Sequence, residues 1–229
     1  MKIDPDKCTA CGFCVRDCPV DAVKLVKKKA VINDHWCTDC GVCLRVCEFG
    51  AIEGKAGMPA EEIVVDGNEL GEGQSYFRYF TVVSPDHNLA AIVMDTVGRN
   101  FYTVKVKDLT TGQMLADKIP DMRGGVEWTN DNKSFFYSVP DAVTLRNFQV
   151  KRHILGEPVD KDELIFQQDD QTLSVYVTKS RSKDYIMFVS GRTDASYTQY
   201  VDADNPGTPK VIQPIQDNVE YYADHIGGD

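Results

Sequence analysis

All eight cysteines of this 229-residue chain lie in its first 47 residues, as two copies of one run. Cys8, Cys11, Cys14 and Cys18 form the first copy; Cys37, Cys40, Cys43 and Cys47 form the second, each spaced C-x2-C-x2-C-x3-C. That spacing suits thiolate ligation of a cubane iron–sulfur cluster. Two intervening residues let a tight loop set three sulfurs on adjacent corners of one [4Fe–4S] cube, and in two-cluster folds the fourth sulfur ligates the other cube. The expected ligand sets are therefore Cys8, Cys11, Cys14 and Cys47 for one cluster, and Cys37, Cys40, Cys43 and Cys18 for the other. Gly12 and Gly41 stand between the second and third ligands of each run. Glycine there permits a positive φ and lets backbone N–H groups approach sulfur.

Three other uses of the thiols compete. Disulfides need an oxidising compartment, and no secretory segment precedes these cysteines, so a cytoplasmic location is expected. Two four-cysteine zinc sites would also consume eight thiolates, although three evenly spaced ligands plus a fourth suit zinc knuckles poorly. Inert buried thiols are the third alternative.

The elements that must position these loops repeat as well. An offset of 29 residues relates the two runs, and also relates Ile3 to Ile32, Ala22 to Ala51 and Val23 to Ile52. Each half reads as short strand, cluster loop, one helical turn, short strand. So small a module has little apolar area of its own, and bound metal commonly supplies the missing stability. Over residues 1 to about 57 the pattern resembles bacterial-type two-cluster ferredoxins. The resemblance implies an α+β module with an internal repeat, a one-electron carrier with the eight cysteines as ligands, and redox partner proteins.

The family usually has proline after the last cysteine of both runs; Pro19 keeps it and Glu48 does not. A carboxylate at that point is expected to lower the potential of the cluster ligated by Cys47. Phe13, Trp36 and Phe49 flank ligand positions and are expected to keep water off the cubes. Lys27, Lys28 and Lys29 read as a solvated hairpin turn, with a docking patch for an acidic redox partner as the sharper alternative.

Residues 1–57 carry nine basic and eight acidic side chains, a balance of +1; the whole chain is −10, which leaves −11 on residues 58–229. No basic stripe with interleaved aromatics suggests nucleic acid, and no apolar run approaches membrane-spanning length. Residues 54–59 read as a linker, giving two domains, 1–57 and 58–229.

Beyond Pro59 the pattern turns to short β-type runs, at residues 79–83, 90–94, 101–106, 134–138, 148–153, 173–177, 185–189 and 198–201, separated by polar turns. Ser84-Pro85-Asp86-His87 before one strand matches Thr129-Asn130-Asp131-Asn132 before another, 45 residues on, and Lys183-Asp184 precedes a third. A period near 45 with about four strands per unit is the signature of a propeller blade; a generic β-sandwich is the alternative. Residues 61–68, 83–86 and 106–112 resemble the propeller of prolyl oligopeptidases, nearest the oligopeptidase B branch, over residues 60–229. The resemblance implies an all-β partial β-propeller of three to four blades, the start of another blade from Val219 on, and further blades or a hydrolase domain as partners. In that family the propeller gates a separate α/β-hydrolase domain bearing a Ser-Asp-His triad. No G-x-S-x-G occurs here, and His35, His87, His153 and His225 are expected to be structural or solvated. The reading is an electron carrier with a non-catalytic propeller-like interaction region. The alternative is a fragment or fusion of a serine oligopeptidase whose hydrolase domain is missing.

Overall fold

The computed structural model describes residues 1–54 and 63–226 and divides into two compact units, Met1–Ile63 and Val64–Asp229. Most of the linker expected at residues 54–59 lies outside the described residues, as do Glu61 and Glu62.

The first unit contains β1 (Lys2–Ile3), α1 (Phe13–Arg16), β2 (Val23–Val26), β3 (Lys29–Ile32), α2 (Val42–Val46) and β4 (Ile52–Glu53). Two antiparallel pairs organise it. Strand β1 pairs with β4, Ile3 opposite Ile52, and β2 pairs with β3, Val23 opposite Ile32. The duplication seen in the sequence extends to the backbone. Asp4 N–H bonds Ala51 O at 2.7 Å, and Asn33 N–H bonds Ala22 O at 2.8 Å, 29 residues on. Asp4 and Asn33 each close an Asx turn on the N–H two residues ahead. Positive φ recurs at Ala10 and Asp39, Gly12 and Gly41, and Asp21 and Gly50. Lys27 and Lys28, both at positive φ, form the β2–β3 turn, as the lysine run suggested.

In the second unit a short helix, α3 (Gly67–Leu70), is capped by Asp66, whose carboxylate accepts N–H bonds from Asn68 and Glu69. Three four-stranded antiparallel meanders follow. The first holds β5 (Arg78–Val83), β6 (Leu89–Asp95), β7 (Tyr102–Asp108) and β8 (Met114–Met122). The second holds β9 (Val126–Trp128), β10 (Ser134–Pro140), β11 (Asn147–Ile154) and β12 (Glu163–Gln167). The third holds β13 (Ser174–Lys179), β14 (Tyr185–Gly191), β15 (Ser196–Asp202) and β16 (Lys210–Val211).

Strand β10 shows why the sheets stack. Successive strand residues point to opposite faces, and both Phe135 and Phe136 are fully buried. Phe135 joins Val93, Val104, Val126 and Trp128 in a core with the first sheet. Phe136 joins Val175, Ile186 and Phe188 in a core with the third. A strand covered on both faces reads as a near-continuous apolar run; Ser134–Pro140 is buried at six of its seven positions, its apolar run broken only by Ser134 and Ser138.

A repeated polar turn leads from the first to the second strand of each sheet. The hydroxyls of Ser84, Thr129 and Ser180 accept the N–H groups of Leu89, Ser134 and Tyr185, at 3.0, 3.3 and 3.1 Å. His87, Asn132 and Lys183 hold the left-handed conformation at φ 64, 61 and 69. Each turn also bonds the next. Asp86 N–H reaches Asn132 Oδ1 at 3.0 Å, and Asn130 Nδ2 reaches Lys183 O at 3.1 Å. Arg181 N–H reaches Asp224 Oδ1 at 3.1 Å, and Ser182 N–H reaches His225 O at 2.9 Å. Residues 212–226 contain no strand. They hydrogen-bond back along the third sheet, through Ser196, Thr198 and the Arg181–Ser182 turn.

Candidate metal centre

The strand pairing of the first unit decides which thiols meet. Cys8 follows β1 and Cys47 precedes β4, so the β1–β4 pair draws the end of the second run toward the start of the first. The β2–β3 pair does the same for Cys18 and Cys37. Cys14, on α1, is buried and surrounded by Cys11, Cys8 and Cys47; these four thiols line one hollow. Cys43, on α2, is likewise buried, with Cys37, Cys40 and Cys18 as its neighbours. Cys11 is exposed, while Cys8, Cys18, Cys37, Cys40 and Cys47 are half-buried.

Backbone amides aim at the sulfurs. Ala22 N–H donates to Cys18 Sγ and Ala51 N–H to Cys47 Sγ, both at 3.3 Å and again 29 residues apart. Ala30 N–H donates to Cys8 Sγ and Asp39 N–H to Cys37 Sγ, both at 3.4 Å. Ala30 and Ala10 amides, with Lys29 adding its charge, hold the Cys8 thiol below the ordinary thiol range. Burial, followed by the repulsion of Cys11, Cys8 and Cys47, pushes Cys14 up. Burial also pushes Cys43 up, with Cys37, Cys40 and Cys18 adding to it. A set of four mutually repelling thiolates supplied with N–H donors fits a cationic iron–sulfide core, which would relieve the repulsion. Among the described residues, no three Cys, His, Asp or Glu side chains converge as ligands of a single ion.

Other residues singled out by the sequence take different places. Phe49 lines the hollow with Cys8, Cys11, Cys14 and Cys47 while remaining 47% exposed. Trp36 does not: it is 62% exposed and faces an outer hollow against β2 and β3. Phe13 is exposed and lies under the Arg16 guanidinium. Glu48 is exposed, so water screens the charge expected to bias the nearby cluster. Lys29 departs from the solvated turn expected of it: its ammonium donates to Cys8 O at 2.8 Å. Only the packing of the two strand pairs against each other, not the lysine run, could have revealed that contact.

His35 and His87 are exposed. His153 is buried between two carboxylates, Asp162 at 2.7 Å from Nδ1 and Asp117 at 3.0 Å from Nε2, and ties β11 to β8. Sequence reading missed this triad because Asp117 lies 36 residues away. His225 has a hydroxyl partner the sequence did not reveal, Ser182 Oγ at 2.8 Å. The nearest carboxylate, Asp184, sits on the same ring nitrogen at 3.4 Å. The opposite nitrogen therefore lacks the orienting acid that a Ser-His-Asp relay requires.

Residues 42–229 match the family described as prolyl oligopeptidase, N-terminal beta-propeller domain. The chain belongs to this propeller family. Residues 1–48 match the 4Fe-4S dicluster domain, so an iron–sulfur domain is joined to a peptidase-type propeller. Both matches include residues 42–48, which fold with the first unit. Among propeller relatives, dipeptidyl aminopeptidase BI of Pseudoxanthomonas mexicana is 34% identical over 73% of this chain and 23% of its own length. Protease 2 of Moraxella lacunata is 33% identical over 72% of this chain and 24% of its own. The chain thus spans about a quarter of the length of these curated relatives. Oligopeptidase B from Leishmania major superposes on 76% of the chain with a TM-score of 0.70 at 25% identity, covering 25% of that protein. The Trypanosoma brucei enzyme does so on 74%, with a TM-score of 0.67 at 28% identity, again covering 25%. The second unit is accordingly an all-β, propeller-like fold of the oligopeptidase B N-terminal type. Among the described residues no helix is long and apolar enough to cross a membrane.

Proposed function

We propose that this chain transfers electrons through two [4Fe–4S] clusters held by an α+β ferredoxin-type module at residues 1–57. Residues 58–229, a partial propeller, serve as a non-catalytic interaction region. Cys8, Cys11, Cys14 and Cys47 hold one cluster; Cys37, Cys40, Cys43 and Cys18 hold the other. Each cube, when bound, takes up and releases one electron. The rest is done by the chain. Gly12 and Gly41, both in the left-handed conformation, let the loops close before α1 and α2. The amides of Ala10, Ala22, Ala30, Ala51 and Asp39 stabilise negative charge on sulfur. No side chain needs to act as acid or base.

The observation that supports this reading is the mixed make-up of each thiol group, three from one run and the fourth from the other. Anaerobic reconstitution with iron and sulfide, followed by metal analysis and EPR of the reduced protein, tests it. About eight irons per chain are expected if both clusters fill. A preparation that takes up zinc alone and gives no reduced-cluster EPR signal would refute it.

A second reading has its own support. The chain matches only about a quarter of peptidases that are 33–34% identical to it. On that reading the second unit is the opening part of a peptide-filtering propeller, completed by further blades and a hydrolase domain. Coding sequence downstream bearing G-x-S-x-G would establish it.

A further inference from the structure

A hollow of about 590 Å³ lies on the outer face of the β2–β3 hairpin, walled by Ala22, Lys24, Val26, Val31, Ile32 and Trp36, with Asp21 and Asn33 at its rim. Lys24 and Val31 are cross-strand partners, and Val26 follows on the same face. Three large apolar side chains here face solvent: Trp36 is 62% exposed, Val26 51% and Val31 48%. Exposed apolar groups gathered into one concave patch mark an interaction site more often than chance would.

Two walls of the hollow adjoin the second thiol set. Ala22 donates its N–H to Cys18 Sγ at 3.3 Å. Trp36 precedes Cys37, and the amides of both bond Asn33 O, at 3.1 and 3.0 Å. A partner seated here would stand directly outside two of the four thiolates expected on that cluster. Charge selects the kind of partner. Residues 23–32 hold Lys24, Lys27, Lys28 and Lys29 and no carboxylate; Asp21 and Asp34 flank them. A thiolate-ligated cube is itself negative and would repel an acidic protein unless lysines intervene.

We propose that this hollow is the docking surface for an acidic redox protein. The partner sets an apolar contact on Trp36, Val26 and Val31, and its carboxylates on Lys24, Lys27 and Lys28. It exchanges one electron with the cluster ligated by Cys37, Cys40, Cys43 and Cys18. With a flavin partner, the reduced cluster loses one electron, and the flavin gains it with one proton from water to become the neutral semiquinone. The proposal rests on the cluster reading above.

The test uses the full reconstituted chain, the K24E/K27E/K28E and W36A variants, and an acidic flavodoxin as the probe. Basic cytochrome c and a small viologen serve as comparison acceptors. Iron content, reduced EPR signal and viologen reduction should match those of the unaltered chain. Flavodoxin reduction by the lysine variant should slow by about tenfold or more at low salt, and the difference should vanish as salt rises. Flavodoxin binding measured by calorimetry should weaken in both variants. An unaltered chain that takes up no iron would overturn the cluster reading, and this proposal with it. Full iron content with flavodoxin rates and affinity insensitive to all four positions would overturn the docking surface alone. So would faster reduction of cytochrome c than of flavodoxin by the unaltered chain, or self-association lost on W36A, which would mark the hollow as a contact between copies.

Discussion

Exchange of the fourth thiol between runs can be tested by pairing cysteine substitutions. Cys47 lies with Cys14, Cys11 and Cys8, while Cys18 lies with Cys43, Cys37 and Cys40. Two complete sets correspond to about eight irons, four for each cube. C8S/C47S strikes one set twice and should retain about four irons per chain; C37S/C47S strikes both and should retain about none. C18S/C37S and C8S/C18S form the mirror pair, retaining about four and about none. Such non-additivity reports a shared site whatever each single substitution costs. The core of the first unit sharpens the contrast. Of its seven buried hydrophobic residues among those described, Cys14, Ala22, Val23, Ala30, Cys43, Ala51 and Ile52, two are themselves cysteines and three are alanines. A unit stripped of both clusters therefore has little left to hold it folded. Iron and acid-labile sulfide are measured per chain on anaerobically reconstituted protein, with EPR to count the remaining clusters. If C37S/C47S kept about four irons while C8S/C47S kept none, each run would be supplying all four of its own ligands, and the reasoning from strand pairing would be refuted.

Replacing His153 by Leu leaves Asp117 with only the Gly156 amide and Asp162 with only the Tyr137 hydroxyl, both in a buried setting. The second unit should lose about 3 kcal/mol, or about 6–12 °C in melting temperature, followed by circular dichroism. Burial raises Glu127 to about 7, partly countered by Lys179. Its raised folded pKa gives stability that is present in acid and lost as pH climbs from about 4.5 to about 7, so Glu127→Gln should gain at most about 3 kcal/mol near pH 8 and nothing near pH 4 in urea titrations. Gly12 has φ 84 with no atom within 4 Å of an added Cβ, so Gly12→Ala meets backbone strain but no clash. The cost should be about 1 kcal/mol, read as roughly fivefold faster iron loss to a chelator.

The parts legible in the sequence are those whose chemistry is local. Cysteine spacing and the 29-residue offset identified both thiol-bearing loops, and the turn at Ser84 with its copy at Thr129 identified the sheet period. Strands buried on both faces, such as Leu89–Asp95, announce themselves as unbroken apolar runs. Outer strands do not. Met114–Met122 alternates exposed and buried residues and includes Pro120, while Glu163–Gln167 is largely exposed, and neither was anticipated. Their hydrogen bonds come from a neighbouring strand, not from their own propensity. The His153 triad and the Lys29 contact were hidden for the same reason: each joins residues on separate sheets or strand pairs that only tertiary packing brings together. The exposure of Trp36 was not legible either, because adjacency to a thiol in the chain does not fix the side of the backbone on which a ring lies.

The bonded turns of the second unit give its row of sheets a polarity. Each turn spends an amide on an acceptor belonging to its successor, so neighbouring sheets are coupled through their rims as well as through apolar area, in the manner of a one-dimensional array. At the third turn the acceptors are Asp224 and His225, which no sheet carries. Those two residues supply to the third turn the kind of acceptor that the following turn supplies to the first and second. Cutting the chain before them would strand the Arg181 and Ser182 amides and loosen that rim, while the Phe136–Phe188 contact at 5.7 Å would stay intact.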